Sequence, residues 1–480
     1  MSKQIRPGAP AYLRPAGRRL ACFLLIFLGL AVGLIVRSGA AQEPAANTAA
    51  ARNAALVAAT QEVLKETSEV RQLSILRPVQ SSTQSRAEIE RAIMKNLDED
   101  ISAAEMHAGE VILKKLGLAP PNFQYRDLMI RLLTEQVAGY YEPKTRQFYL
   151  ADWIDIDGQK PIMAHELTHA LQDQHFNLRR FDHWPKGDSD AELAAHALIE
   201  GDATMAMAMY IASNPLRTLS LLKSMGATGI ATEELDKAPR AVRETLLFPY
   251  QEGMAWTRSL YKQGGWNEVS RAFTTLPQSS EQILHPEKYF AHEVPVKLTL
   301  PEITNLLNDA ERSKSGAPVV AGGSAKLRSV PPALAGGSST VPGWKKIASD
   351  VNGEWGFYLI LDQFLRAPAE SRRAAAGWAG DRTAVYEDEK GEVLYVSLSV
   401  WDSETDAREF FDAYVKRTDS RYTPAVGVAE GTPVSARTWK TAEGAVTINL
   451  SGSRVLIIEG CPESLKIAKL RDALTSPAAR

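Results

Sequence analysis

The segment His165-Glu166-Leu167-Thr168-His169 constrains this chain more than any other feature. Its two histidines are four residues apart, so on a helix both imidazoles lie on one face and can reach a single metal ion. Pro161 suits the first turn of such a helix. The segment therefore predicts a helix that carries a zinc site, with His165 and His169 as ligands and Glu166 as the general base that acts on water.

A catalytic zinc site needs a third protein ligand, and three residues compete for that role. Glu200 follows His169 after 30 intervening residues, which is enough for a loop and an antiparallel second helix. His196 lies one turn earlier on the same face of that second helix. His175 completes the metzincin spacing HExxHxxGxxH, but Gln172 stands where that pattern needs glycine, and on a continuing helix His175 is rotated about 240° from His169. Glu200 is therefore the favoured ligand, and His175 and His196 are the alternatives.

The strings around these residues resemble a poorly characterised group of bacterial exported zinc metallopeptidases of the gluzincin type, in which glutamate on a later helix follows HExxH. The resemblance extends over about residues 76–290 and is carried by residues 164–176, 198–203, 247–250 and 282–289, and more loosely by 377–382. It implies a zincin-like fold, a bound Zn²⁺ and hydrolysis of peptide bonds in a peptide or protein substrate. Gluzincins of the thermolysin type have aspartate where this chain has Thr204, so Asp202 or Thr204 is expected to orient a ligand histidine.

Two further parts of a peptidase site have candidates. His285 and Tyr250 are possible donors to the oxyanion of the tetrahedral intermediate, with His196 as a third candidate. The aromatic-rich stretch 140–150 predicts a β-hairpin just before the motif. Its edge could pair with the main chain of an extended peptide, although a purely structural hairpin would have the same sequence.

The N-terminus predicts export. Arg14, Arg18 and Arg19 precede an uncharged apolar run at 20–36, and small residues follow up to Ala41. This order is typical of a signal peptide cleaved after Ala41, which predicts a periplasmic or extracellular chain. The alternative is an uncleaved membrane anchor at 20–36, which is at the short limit for a membrane span.

Composition excludes some classes of protein and of site. The net charge of −2 with no basic stripe argues against a nucleic-acid partner. Cleavage of the signal would leave Cys461 as the single cysteine, so neither an internal disulfide nor a cysteine-based zinc site is possible, and a buried, inert thiol is expected.

The fold class predicted from these patterns is α+β. Residues 42–75 are predicted as a spacer with a helix over 61–73, and 76–312 as a mainly helical zincin-like domain with a short β-hairpin before the motif helix. Apolar residues recur at helical spacing over 86–116, which predicts one helix there. Residues 313–343 are rich in Gly, Ser, Ala and Pro, which predicts a linker, and 344–480 are predicted as a small α+β domain. Within it, the alternation over 393–401 predicts a strand.

Two other functions remain compatible with the sequence. The chain could be an envelope interaction protein with a structural zinc or an inactive site, in which the C-terminal domain does the work. It could also be a zinc hydrolase of a non-peptide amide in the cell wall, with the same catalytic residues. Neither the oligomeric state nor the substrate can be read from the sequence.

Overall fold

The computed structural model describes residues 45–136, 138–153, 156–184, 187–215, 217, 233–315, 343–422, 426–429 and 435–475. The signal peptide or anchor predicted for 1–41 and most of the linker predicted for 313–343 lie outside this part of the chain. Within it, no helix has both the length and the apolar character that a membrane crossing requires.

The described chain has a mainly helical part with a three-stranded sheet, followed by a C-terminal part built on a seven-stranded sheet. The α-helices of the described residues are α1 (Ala45–Arg71), α2 (Arg86–Asp100), α3 (Ala103–Lys115), α4 (Tyr125–Gln136), α5 (Lys160–Phe176), α6 (Ser189–Ala212), α7 (Glu233–Lys237), α8 (Arg240–Ala272), α9 (Ser280–Leu284), α10 (Pro286–Phe290), α11 (Thr304–Ser315), α12 (Gly353–Leu365), α13 (Pro368–Ala375), α14 (Glu404–Arg421) and α15 (Ile467–Thr475). The strands are β1 (Gln80–Gln84), β2 (Gly139–Glu142), β3 (Gln147–Ala151), β4 (Lys345–Asp350), β5 (Trp378–Glu387), β6 (Val393–Trp401), β7 (Val426–Ala429), β8 (Ala436–Thr441), β9 (Gly444–Ser451) and β10 (Arg454–Cys461).

The α+β class is confirmed. A three-stranded sheet of order β1-β3-β2 lies before the motif helix, and β2 and β3 form the predicted antiparallel hairpin. The C-terminal part is built on a seven-stranded antiparallel sheet of order β4-β5-β6-β10-β9-β8-β7. In this sheet β6 has the predicted bounds, and Cys461 at the end of β10 is buried, which raises the pKa of its thiol to about 12.

The stretch 86–116, predicted as one helix, is two helices. Ser85 and Ser102 each begin a helix with a capping box, in which the serine side chain bonds the backbone N–H of a glutamate three residues on. The glutamates, Glu88 and Glu105, bond back to the serine N–H groups. The break between α2 and α3 is therefore marked in the sequence by a second S-x-x-E signature, Ser102 to Glu105, inside the stretch with apolar periodicity.

Residues 45–71, expected to be partly a spacer, form one continuous helix that is built into the fold. The apolar side of α1, including Leu56, Val63 and Leu64, is buried against Met163 and Leu167 of α5. The alanine content that suggested a linker is equally favourable for a helix, because alanine has the highest helix propensity.

The helical part and the C-terminal part share one hydrophobic core. Leu198 of α6 and Phe248 of α8 belong to the same buried cluster as Trp355 and Phe357 of α12, and the Phe248 and Trp355 rings lie 4.8 Å apart. The first turn of α12 also fits tightly against α6, because a Cβ at Gly353 would lie 1.7 Å from an Asp190 side-chain oxygen. The two parts therefore bury apolar surface against each other.

Candidate metal centre

Helix α5 presents the two motif histidines on one buried face. It begins with Pro161 in its first turn, as predicted, and ends at Asn177, whose left-handed backbone (φ 55°) closes the last turn onto Asp173. His165 and His169 are 0 % and 4 % exposed, and their rings are 4.8 Å apart between centroids. Both rings are therefore held where solvent cannot compete for their nitrogens.

Glu200 of α6 completes a triangle with these histidines. The His165 and His169 Nε2 atoms are 3.2 Å apart, and Glu200 Oε2 lies 3.2 Å from the first and 3.4 Å from the second. Two ligand atoms at tetrahedral angles on a zinc ion, each about 2.05 Å from it, are separated by about 3.3 Å. The spacing of the three atoms therefore fits a tetrahedral zinc site.

The tautomer of His169 follows from its neighbours. Gln172 Nε2 donates to the Ile199 carbonyl oxygen at 3.0 Å and to Asp202 Oδ2 at 2.9 Å, which identifies the nitrogen end of the amide. Gln172 Oε1 then accepts from His169 Nδ1 at 2.9 Å. A neutral imidazole that donates from Nδ1 keeps its lone pair on Nε2, which is the form that binds zinc.

Electrostatics at the triangle favour a cation. Burial would lower the pKa of His169, but the Glu200 carboxylate outweighs it and raises that pKa to about 9. Burial would likewise raise the pKa of Glu200, but His169 and His165 lower it to about 2. A proton on His169 and a metal ion between the three side chains are thus alternative ways to compensate the buried Glu200 charge.

Glu166 and Tyr250 border the triangle. Glu166 is 3 % exposed, and its Oε2 accepts the Tyr141 backbone N–H of β2 at 2.9 Å. Burial raises the pKa of Glu166, against the lowering effect of His165 and His169. The Tyr250 ring stacks on the His165 ring at 6.1 Å between centroids, and burial together with the charges of Glu200 and Glu166 raises the pKa of its phenol well above the usual value. Tyr250 is therefore a neutral hydroxyl directed at the site.

A close crossing of α6 and α8 fixes Glu200 relative to Tyr250. A Cβ at Gly201 would lie 2.2 Å from the Gly253 carbonyl oxygen, and one at Gly253 would lie 2.3 Å from the Ala197 carbonyl oxygen. Only hydrogen at both positions allows the two backbones to approach so closely. The approach brings Glu200, the residue before Gly201, close to Tyr250, which lies about one turn before Gly253.

The other predicted site residues have different neighbours. His175 Nε2 bonds the Ser74 carbonyl oxygen at 2.7 Å, in the last turn of α5. His196 is buried, which lowers its pKa to about 4, and it is not part of the triangle. His285 Nε2 lies 3.0 Å from Glu354 Oε1 of α12, so it connects the helical and C-terminal parts. His175 and His285 are therefore not brought together with the triangle, and His196 lies close enough to feel the Glu200 charge without belonging to it.

A second group of carboxylates already contains a cation. Glu281, Glu293 and Asp402 converge, and the Lys288 ammonium lies 2.7, 2.8 and 2.6 Å from them, respectively. Because this ammonium supplies positive charge to those carboxylates, the triangle of His165, His169 and Glu200 is the stronger metal candidate of the two groups found in the described residues.

The site also contains residues that the motif did not identify. Gln172 had been considered only as a departure from the metzincin glycine, yet it sets the tautomer of His169. Tyr141 was predicted only as part of the hairpin, and its backbone N–H holds Glu166. Asp202, expected as one of two orienting residues, acts through Gln172, whereas no hydrogen bond to the site is found for Thr204 in the described residues.

A titratable carboxyl on α6, outside the triangle, predicts a pH dependence of stability. Burial, together with the nearby Asp350 carboxylate, raises the pKa of Glu192 to about 7. The folded chain thus holds a proton that the unfolded chain releases near pH 4.3. The contribution of this retained proton to the free energy of unfolding is complete below pH 4.3 and is lost as the pH rises through 7. We expect wild type to lose roughly 3 kcal/mol relative to Glu192→Gln between pH 4.5 and 8, measured by urea unfolding. Parallel pH profiles of the two proteins would contradict this.

Comparison with known proteins identifies one segment. A family model described as a domain of unknown function, DUF8575, matches residues 340–471. No curated protein and no solved structure matches the chain. The matched segment is the C-terminal part with its seven-stranded sheet, and it does not include the candidate metal centre.

Proposed function

We propose that the chain is a zinc-dependent hydrolase of peptide bonds, with His165, His169 and Glu200 as metal ligands. The observation that carries the proposal is the buried triangle of two Nε2 atoms and one carboxylate oxygen, separated by 3.2 to 3.4 Å. The HExxH spacing and the glutamate on a second helix agree with the gluzincin resemblance of the sequence. Zinc bound there would polarise a substrate carbonyl and lower the pKa of water towards neutrality.

The chain's own residues supply the proton transfers. Glu166 takes the proton from the attacking water and passes it to the leaving amine nitrogen. The Tyr141 backbone N–H holds one carboxylate oxygen of Glu166, at 2.9 Å, and so fixes the orientation of the base. Tyr250, a neutral hydroxyl beside Glu166 and Glu200, donates a hydrogen bond to the oxyanion of the tetrahedral intermediate.

An extended peptide is the substrate form that fits this arrangement. Among the described strands, β2 is at the edge of the order β1-β3-β2, and the Tyr141 N–H on its outer side is held by Glu166. A peptide that runs along that edge would pair with the backbone groups beside Tyr141 and would lie with its carbonyl groups near the general base. We also propose that the chain is exported to the periplasm or outside the cell, or anchored to the membrane by residues 20–36. The order of basic, apolar and small residues over 14–41 supports this.

Zinc content tests the ligand set. We expect one zinc per wild-type chain by elemental analysis, and loss or strong weakening in His169→Ala and Glu200→Ala, because each removes a ligand. His175→Ala is the matched control and should keep its zinc, since the hydrogen-bond partner of His175 among the described residues is the Ser74 carbonyl oxygen.

The remaining outcomes separate the alternatives. A wild-type chain without zinc after reconstitution would rule out the metal centre and leave an interaction protein. Zinc without hydrolysis of casein would point to a structural zinc, and cleavage of cell-wall fragments in place of peptides would identify the amide hydrolase.

A further inference from the structure

A chain of hydrogen bonds extends from the metal centre to the end of α1. His169 Nδ1 donates to Gln172, Gln172 Nε2 donates to Asp202 Oδ2, and Asp202 Oδ1 accepts the Arg71 Nε–H. We call Gln172, Asp202 and Arg71 the relay. It links a candidate ligand to a residue 131 positions from Asp202 in the sequence, in a segment expected to be a spacer.

The Arg71 guanidinium is held on several sides. Arg71 and Asp202 have no exposed side-chain surface. The guanidinium lies over the Trp266 ring, 4.4 Å from its centroid, and donates to Ser270 Oγ at 3.2 Å. Helix α8 breaks just before this tryptophan at Gly264 and Gly265, where Gly265 adopts φ 63°. After the break, the last two turns of α8 place Trp266 and Ser270 against the guanidinium. Arg71 therefore cannot move away from Asp202 without losing its contacts with these two residues.

Two acceptors set the orientation of Gln172, namely Asp202 Oδ2 and the Ile199 carbonyl oxygen. Arg71 holds the first of them, because its Nε–H donates to Asp202 Oδ1 and its charge pairs with the buried carboxylate. Without Arg71, the Asp202 carboxylate would turn away from Gln172 Nε2, and the Ile199 carbonyl oxygen alone would hold the amide. Gln172 Oε1 would then no longer be fixed opposite His169 Nδ1, and the tautomer with hydrogen on Nε2, which has no lone pair for a metal, would become accessible.

We propose that Arg71 is a positioning residue of the metal centre, which holds His169 in its metal-binding tautomer through Asp202 and Gln172. The proposal rests on the proposed function, because it takes His169 as a ligand. It makes α1 a structural part of the site. The chain that follows α1 is attached to the same region of α5, since Arg77 pairs with Asp173 at 2.9 Å.

The test is the metal affinity of Arg71→Met, which keeps the length of the side chain and removes its charge. Partners of a metal-ligating histidine contribute about 10- to 100-fold in affinity, so we expect a loss of that size in a chelator competition with zinc. The visible absorption of the Co²⁺-substituted protein should also change, because it reports the ligand geometry around the metal. Arg71→Lys should give an affinity between Arg71→Met and wild type, because lysine restores the charge without the planar fork.

Arg417→Met is the matched control. Arg417 forms a fully buried pair with Glu459 in the C-terminal part, as Arg71 does with Asp202. We expect its loss to lower the thermal stability of the metal-free protein, but to leave the zinc affinity and the Co²⁺ spectrum of the folded protein unchanged. The comparison separates a positioning effect from a general loss of stability.

Each outcome decides the proposal. Wild-type zinc affinity and an unchanged Co²⁺ spectrum in Arg71→Met would overturn the role of Arg71, while one zinc per wild-type chain would leave the proposed function intact. A wild-type chain that bound no zinc would overturn both. Should Arg71→Met fail to fold, Arg71→Lys decides on the same readouts, and wild-type affinity with a wild-type spectrum would overturn the proposal.

Discussion

Replacement of Glu166 by glutamine is expected to lower peptide hydrolysis by a factor of about 10² to 10⁴, the usual contribution of a general base. The amide oxygen of glutamine can still accept the Tyr141 N–H that Glu166 accepts at 2.9 Å, so the side chain should keep its place. Glutamine cannot take a proton from water, however. The zinc content and the unfolding midpoint should therefore equal those of wild type while kcat/KM falls.

Glu192→Gln is the control for this experiment. Glu192 is a carboxyl of α6 outside the metal-ligand triangle, and its raised pKa of about 7 already makes it partly neutral. Its glutamine variant should hydrolyse casein at the wild-type rate near pH 7. Full activity in Glu166→Gln would refute the assigned base, and loss in both variants would show that any buried charge change inactivates the chain.

Gly201→Ala should destabilise the chain and weaken zinc binding together. The added methyl would lie 2.2 Å from the Gly253 carbonyl oxygen and 2.8 Å from Thr257 Oγ1, so α6 and α8 must separate. Overpacking of this kind costs about 1 to 3 kcal/mol and can cost more at a backbone contact. Glu200 is the adjacent residue, and a shift of α6 moves its carboxylate away from His165 and His169. Urea unfolding of the metal-free chain and a zinc titration measure the two effects.

The matched control is Gly109→Ala in α3. A Cβ at Gly109 would meet no atom within 4 Å, so the same substitution there only replaces a flexible helical residue with a good helix former. We expect Gly109→Ala to raise the free energy of unfolding by about 0.5 to 1 kcal/mol. Equal stability changes at Gly201 and Gly109 would contradict the close crossing of α6 and α8.

Local sequence patterns predicted which residues lie together in the candidate site. His165, His169 and Glu166 follow from helical spacing, and Glu200 from the length of the return to a second helix. Arg71 could not be found in this way, because its contact with Asp202 spans 131 positions and depends on how α1 packs. The close approach at Gly201 and Gly253 also exists only once the two helices cross, although two glycines inside helical stretches were a visible signal.

The fold shows the same division between local and distant information. The hairpin at 140–150 and the strand β6 were predicted from alternation alone and are present. The break between α2 and α3 was overlooked because apolar periodicity continues across it, while the serine cap that causes it is short. That α12 shares a core with α6 and α8 could not be predicted, since apolar positions do not reveal which surface covers them.

The fit of Gly353 against Asp190, and of Trp355 against Phe248, has a consequence for how this architecture can be inherited. The family match begins at residue 340, but the surface that covers the first turn of α12 belongs to residues far upstream. A gene that acquired residues 340–471 by recombination would acquire an uncovered aromatic face with them. Such a transfer would be viable only with a recipient that offers its own helices to that face.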